Sequence, residues 1–345
     1  MNRPIVLTGE NVGEYFNDVV LPHLPEGSEV TDTREVTEYT MVNWIFAVGI
    51  RLGSTGEHNT TYLKQSRDYV KGYTDMERPA NRIGIENKVL DFLHTVIPEN
   101  VPEVIVYDEP NNVLAMTDIQ RSGRLLLGEL LAGRAHPEVG GPFGAVIARV
   151  QLSTFDRSLD DILGIGINQG HADMASILGF RVKPAQRLYP ELTNQVLKRS
   201  DEGPKCFILG DLSSKNIFVE GNQARFVDFE RVAVGDPAHD PAYLFAHMLV
   251  QIKPDQLTQA VEFVDKFMKS YTQKLREKFS SEELDRLQNQ IARFLGITIL
   301  HRVLGEYFVV DVGEDKELWQ ERAATLLADT KSTSVVEALG QAGIA

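Results

Sequence analysis

The sequence predicts an α+β chain of two lobes: an antiparallel sheet with one main helix over residues 1–117, then a mostly helical lobe over residues 118–345. Three observations predict it. Up to about residue 118, apolar and β-branched residues come in short alternating runs between Gly-, Asn- and Asp-rich turns, the mark of paired strands. Beyond that point apolar residues recur at spacings of three and four, which places them on single helix faces. The length of 345 residues suits two units at roughly 150 residues each.

The elements follow in order. VNWIFAVGI, the turn-rich RLGSTGEHN and TTYLKQ form a hairpin. EVIVY and NVLAMT, joined by DEPNN, add a second pair, giving a sheet of at least four strands. Between the pairs, RPANRIGIENKVLDFLHTVI places Glu86, Val89, Leu90, Leu93, Val96 and Ile97 on one helical stripe. Glu86 on an apolar stripe requires a cation if it is buried, and Lys64, near the end of TTYLKQ, has the reach to supply one. The alternative is a Glu86 that reaches solvent from the edge of the stripe. Helical patterns then fall near 121–135, 140–156, 169–178, 184–200, 240–252, 256–278, 282–305 and 315–328, and SSEE reads as the N-terminal cap of one of them.

Composition narrows the function classes. With 43% hydrophobic and 24% charged residues the chain is a folded globular protein. Lys+Arg 35 against Asp+Glu 49 gives a net charge of -14, which repels phosphate backbones, so no nucleic-acid partner is expected. The only cysteine, Cys206, allows neither an intrachain disulfide nor a cysteine-based metal site, and suits a cytoplasmic location. MNRPIVLTGENVGEYF lacks the apolar core of a secretory signal. The most apolar run, AYLFAHMLVQI, falls short of the roughly 20 residues of a spanning helix, so no membrane partner is expected.

The chemistry concentrates in CFILGDLSSKNIFVEGNQARFVDFERVAVGDPAHDPAYL, residues 206–244. Apolar residues lead into Gly210 and Asp211, a polar loop reaches Asn216, and IFV and ARFVDF flank EGNQ as a second hairpin. A turn centred near Asn222 gives partners whose numbers sum to about 444, so Asn216 faces Asp228 with Asp211 close by. Oxygen-bearing side chains without sulfur suit a hard cation such as magnesium beside a nucleotide phosphate. Asn216 and Asp228 are then the metal ligands, and Asp211 is placed to accept the proton of an attacking hydroxyl. His136, His239, His247 and His301 lack metal-ligand spacing, and GSTGE lacks the lysine of a P-loop.

GDLSSKN followed by VDFE and GDPAHD resembles the catalytic signature of the aminoglycoside phosphotransferase and choline kinase superfamily. YLKQSRDYVK and RVLGEYF resemble segments of its methylthioribose kinase-type members. The resemblance implies a two-lobed protein kinase-like fold, with residues 1–117 as nucleotide-binding lobe and 118–345 as catalytic and acceptor-binding lobe. It further implies ATP and magnesium as cofactors and a small-molecule hydroxyl as acceptor, such as an aminoglycoside, amino alcohol or thiosugar. By the same resemblance Asp211 is the catalytic base, and Asn216 and Asp228 hold the metal. Lys64, paired with Glu86, meets the nucleotide phosphates, and the main chain of Met116, Thr117 and Asp118 binds adenine. Asp236 and Asp240 would brace the loop, and Arg302, Glu306 and Tyr307 would approach the acceptor. Two departures stand out: Leu209 replaces a histidine, and the phosphate-covering turn near REVTEYTMVNW has no glycine. They motivate a second reading, a kinase-like nucleotide-binding or regulatory protein without turnover.

Overall fold

The computed structural model describes residues 4–38, 40, 42–164, 169–305, 310 and 315–345, with the backbone alone at Tyr73, Thr74, Met76 and 169–178. The chain divides into two units, Met1–Arg121 and Ser122–Ala345, a few residues after the change in composition at 117/118.

In the first unit, α1 (Val12–Tyr15) runs on as a π-turn through Val20 and precedes a sheet of β1 (Glu29–Val36), β2 (Trp44–Arg51), β3 (His58–Gln65), β6 (Val104–Asp108) and β7 (Val113–Thr117). The strands lie in the order β1-β2-β3-β7-β6, all antiparallel. A short hairpin, β4 (Tyr69–Val70) with β5 (Tyr73–Glu77), leads to α2 (Ile83–Val96). Alternation sorts the faces: Phe46, Val48, Ile50, Leu63, Val113 and Ala115 meet Leu7, Val12, Phe16 and Val20 of the N-terminal segment. Lys64, one residue on from Leu63, therefore points to the opposite face.

The second unit holds α3 (Leu126–Leu131), α4 (Pro137–Leu152), α5 (Leu159–Leu163), α6 (Gln169–Leu188), α7 (Pro190–Glu202), α8 (His239–Gln251), α9 (Leu257–Leu275), α10 (Ser281–Leu304), α11 (Lys316–Ala328) and α12 (Val335–Gln341). The break expected between 178 and 184 is absent: α6 runs on through Pro184. It ends instead at Tyr189, whose extended φ of -137° is the conformation a following proline favours. Ser280 caps α10 in a reciprocal capping box with Glu283. Gly140 and Gly144, one turn apart on α4, let that helix lie against the main chain of α9. A methyl group at Gly140 would meet the Phe263 carbonyl oxygen at 2.5 Å, and one at Gly144 would press on the Phe267 carbonyl. Gly144→Ala is expected to lower the unfolding free energy by about 1–3 kcal/mol, as overpacking does; an unchanged denaturation midpoint would contradict this close crossing.

Two small strand pairings frame the 206–235 segment. β10 (Ile217–Glu220) pairs with β11 (Gln223–Phe226) and with β8 (Arg124–Leu125), while β9 (Cys206–Ile208) pairs with β12 (Ala233–Gly235). The hairpin register departs from the expected one. Ile217 faces Phe226 and Glu220 faces Gln223, because the turn has two residues, Gly221 and Asn222, rather than one at its centre. Asn216 therefore stands opposite Val227, whose N–H donates to the Asn216 carbonyl at 3.0 Å, and Asp228 lies one residue beyond.

Among the described residues, no helix is long and apolar enough to cross a membrane.

Candidate active site

The loop from Leu209 to Asn216 leaves β9 and enters β10, and the loop from Val227 to Val232 leaves β11 and enters β12. Both ends of both loops are thus tied by the two pairings, which brings the Asp211 and Asp228 segments side by side. Gly210 makes the first bend with φ +75°, a conformation open to glycine without strain. From the first turn of α8 the Asp240 carboxylate accepts the N–H of Leu209 at 2.7 Å and of Gly210 at 3.0 Å. Asp236 accepts the Ala238 N–H at 2.8 Å and a hydrogen bond from Gln290 at 3.2 Å. The two aspartates thus brace the loop and the start of the helix.

Asp211 is buried and wrapped by cations. Arg181 Nη2 lies 3.2 Å from its Oδ1, and Lys215 Nζ and Arg231 Nη1 lie 3.5 and 3.7 Å from its Oδ2. Burial pushes its pKa up, but Lys215, Arg231 and Arg181 outweigh that and hold the carboxyl well below the usual range. In turn Arg231 holds its proton more tightly than usual, since Asp211, Glu230 and Asp228 together outweigh its own burial.

Asn216 donates from Nδ2 to the Asp211 carbonyl at 3.0 Å and to its Oδ2 at 3.4 Å. Its side-chain NH₂ is thereby committed to the protein, which turns the amide oxygen, a hard donor, the other way. Asp228 has φ +72°, a left-handed conformation rare for a residue with a side chain, and it breaks the alternation of β11 at this point. Asp228 and Glu230 each present a carboxylate oxygen within 4.8 Å of the other. The donor set is therefore all oxygen, as a magnesium site requires.

In the first unit Lys64 Nζ lies 2.7 Å from Glu86 Oε2, both side chains buried. Glu86 thus lies inside the α2 stripe, with Ile83, Val89, Leu90 and Leu93, and does not reach solvent from its edge. Met116 lies within the ladder, paired with Tyr62 on one side and Val104 on the other. The Thr117 N–H donates to the Glu103 carbonyl at 2.9 Å, and the Asp118 carboxylate accepts the Gln120 N–H at 2.8 Å, turning the chain out of β7. Between β1 and β2, Thr40 donates its hydroxyl to the Val36 carbonyl at 2.9 Å, and Glu38 is exposed.

Sequence reasoning missed two residues. Arg181 sits on α6 with Pro184 and Ala185 on one buried face, the same sign of a charge turned inward that singled out Glu86. Glu230 follows Asp228 at the next position but one in VDFE, and its burial marks it out. Arg302 is buried in the last turn of α10, whereas Glu306 and Tyr307 lie outside the described residues.

The model of the phosphotransferase enzyme family matches residues 49–276, about two thirds of the chain. The chain belongs to this family. This phosphotransferase is 23% identical to a methylthioribose kinase of Bacillus cereus (strain AH187), over 73% of this chain and 75% of that one. An ethanolamine kinase structure from Plasmodium vivax superposes with a TM-score of 0.52 at 14% identity, covering 97% of this chain and 85% of that one. An amicoumacin kinase, solved in complex with AMP-PNP, Ca2+ and Ami, gives a TM-score of 0.51 at 13% identity over 95% and 98%. These structures share the fold, an antiparallel-sheet N-terminal region and a helical C-terminal region of protein kinase-like type. The phosphotransferase is a small-molecule kinase that uses ATP and phosphorylates an alcohol group.

Proposed function

We propose that the phosphotransferase moves the γ-phosphate of magnesium-bound ATP to a small-molecule hydroxyl, with Asp211 as the base that orients and deprotonates it. The observation that carries this reading is the braced Asp211 carboxylate, fixed by Asn216 and kept ionised by Arg181, Lys215 and Arg231. The acceptor oxygen bonds to the γ-phosphorus, the bond to the bridging oxygen of ADP breaks, and the hydroxyl proton passes to an Asp211 oxygen. A carboxylate of such low basicity takes that proton only once the attacking oxygen has begun to bond to phosphorus, so its main work is alignment.

Asn216 and Asp228 would hold magnesium, with Glu230 as a further oxygen donor. Bound there, magnesium supplies charge neutralisation on the phosphate oxygens. Lys64, kept in place by Glu86, meets the nucleotide phosphates as a point charge. Of the adenine-binding stretch Met116, Thr117 and Asp118, the Thr117 amide is already committed to Glu103, so the main chain beyond Thr117 is the part that remains outside the ladder for the base. The buried thiol of Cys206 suits a reducing compartment such as the cytoplasm.

A calorimetric titration with ATP, with and without magnesium, tests the nucleotide half. A transfer screen over amino alcohols, aminoglycosides, thiosugars and hydroxy acids tests the acceptor half. Nucleotide binding indifferent to magnesium would remove Asn216 and Asp228 from their roles. Asp228→Gly should fold about as stably as the parent, because glycine accepts φ +72° without strain, whereas Asp228→Ala should cost about 1 kcal/mol. Both should lose magnesium-dependent ATP binding, and its retention in the glycine variant would show that Asp228 serves the backbone alone.

A further inference from the structure

The second unit gathers more buried positive charge around Asp211 than that carboxylate alone requires. Arg181 is fully engaged: Nη1 donates to the Gly210 carbonyl at 2.7 Å, Nη2 reaches Asp211, and the guanidinium lies over the Tyr243 ring at 3.8 Å. Lys215 and Arg231 take the other carboxylate oxygen. Arg302 on α10 is a fourth cation, only 7% exposed, and its buried Nε has no hydrogen-bond partner among the described residues.

Other buried ring nitrogens also have no hydrogen-bond partner among the described residues. His247 lies one helical turn from Tyr243 on α8, with ring centroids 4.7 Å apart, and neither of its ring nitrogens has a hydrogen-bond partner. His301, beside Arg302 in the chain, packs its ring against Phe180, the neighbour of Arg181, and its Nδ1 is likewise without a partner. Burial, reinforced by the neighbouring arginines, pushes the His301 pKa down to about 3 and His247 well below its usual value, so both rings are neutral. A buried guanidinium whose Nε has no hydrogen-bond partner among the described residues, beside imidazole nitrogens in the same condition, is a costly arrangement unless a ligand completes it.

We propose that Arg302, backed by the charge of Arg181 and the ring of His247, is the anion subsite of the acceptor, so that the molecule phosphorylated here carries a carboxylate or phosphate group near its hydroxyl. This rests on the reading of Asp211 as the base, since Arg302 lies within electrostatic reach of Asp211 on the side where Tyr243 and Arg181 stand. An oxyanion at this point pairs the guanidinium and accepts from the buried donors, leaving the hydroxyl end of the molecule for Asp211. An amine in the same place would face Arg181 and Arg302, so amino alcohols and aminoglycosides are disfavoured as acceptors.

The test uses the full chain and four three-carbon probes at constant ionic strength: glycerate, glycerol 3-phosphate, glycerol and 3-amino-1,2-propanediol, followed by thermal shift and calorimetry. The two anions are expected to bind and to raise the melting temperature, the tighter of them identifying the carboxylate or the phosphate as the group recognised. Arg302→Met should abolish both effects. Arg302→Lys, which keeps the charge but loses the fork of donors, should weaken the anions about tenfold. Magnesium-ADP, titrated in parallel, should bind all three proteins equally. Anion binding undiminished in Arg302→Met or in Arg302→Lys, or an amine or neutral probe that binds the parent better than both anions, would overturn the subsite. Magnesium-ADP binding without any anion binding removes the subsite and leaves the phosphotransferase reading intact. Anion binding that depends on Arg302, without magnesium-ADP binding, supports the subsite and counts against the nucleotide assignment instead.

Discussion

Asp211→Asn should lower the rate of phosphoryl transfer by about a thousandfold, within the usual range for loss of a positioned acid–base group. It should also lower stability, because Arg181, Lys215 and Arg231 would then surround a neutral amide. By the measure of broken buried ion pairs the loss is about 3–5 kcal/mol. The two effects have different pH signatures. The folded-state pKa of Asp211 is depressed below that of an unfolded aspartate, so its stabilising contribution is complete above about pH 4 and fades as the pH falls toward the folded value. Denaturation curves of parent and variant should therefore converge in acid and stay parallel from pH 5 upward. Equal stability of the two proteins at pH 7 would mean that the cations do not act on Asp211 as the distances imply. Unimpaired turnover would remove Asp211 from catalysis altogether.

The second large effect is expected at Lys64 and Glu86. Glu86→Leu leaves the Lys64 ammonium buried without a full counter-charge, and Lys64→Met does the same to the carboxylate, so each single change should cost about 3–5 kcal/mol. The double variant Lys64→Met with Glu86→Leu should recover most of that stability, since a well-filled apolar pair often equals a buried ion pair. It should nonetheless fail to bind ATP, which separates the charge the nucleotide requires from the packing the fold requires. Chemical denaturation of the four proteins of the cycle gives the coupling directly. A double variant as unstable as the sum of the singles would show that the pair does not act as a unit.

Much of this architecture was legible in the residues. Glu86 announced itself as a charge on an apolar stripe, and Lys64 as the cation within reach; the structure joins them at 2.7 Å. The Ser280 capping box and the two principal hairpins were equally plain, because turn chemistry and helix caps are local. β1, EVTDTREV, was not, since as an edge strand exposed along most of its length it carries no apolar alternation to read. The hairpin register was off by one because a Gly-Asn signal fixes where a turn lies but not whether its centre falls on a residue or between two. Arg181 escaped notice for a different reason: α6 brings it to Asp211 from thirty residues away, and no local pattern encodes that meeting. Nor does strand periodicity reveal that Asp228 swings out of line through a left-handed backbone.

The two hydrogen bonds that Asp240 accepts from the main chain of Leu209 and Gly210 fasten the Asp211 loop to the first turn of α8. Tyr243 and His247 ride on that same rod, one and two turns further along. Any molecule leaning on those rings therefore pushes on the support of Asp211 itself, so that in the proposed site the grip on a substrate and the aim of the proton acceptor would be mechanically one adjustment.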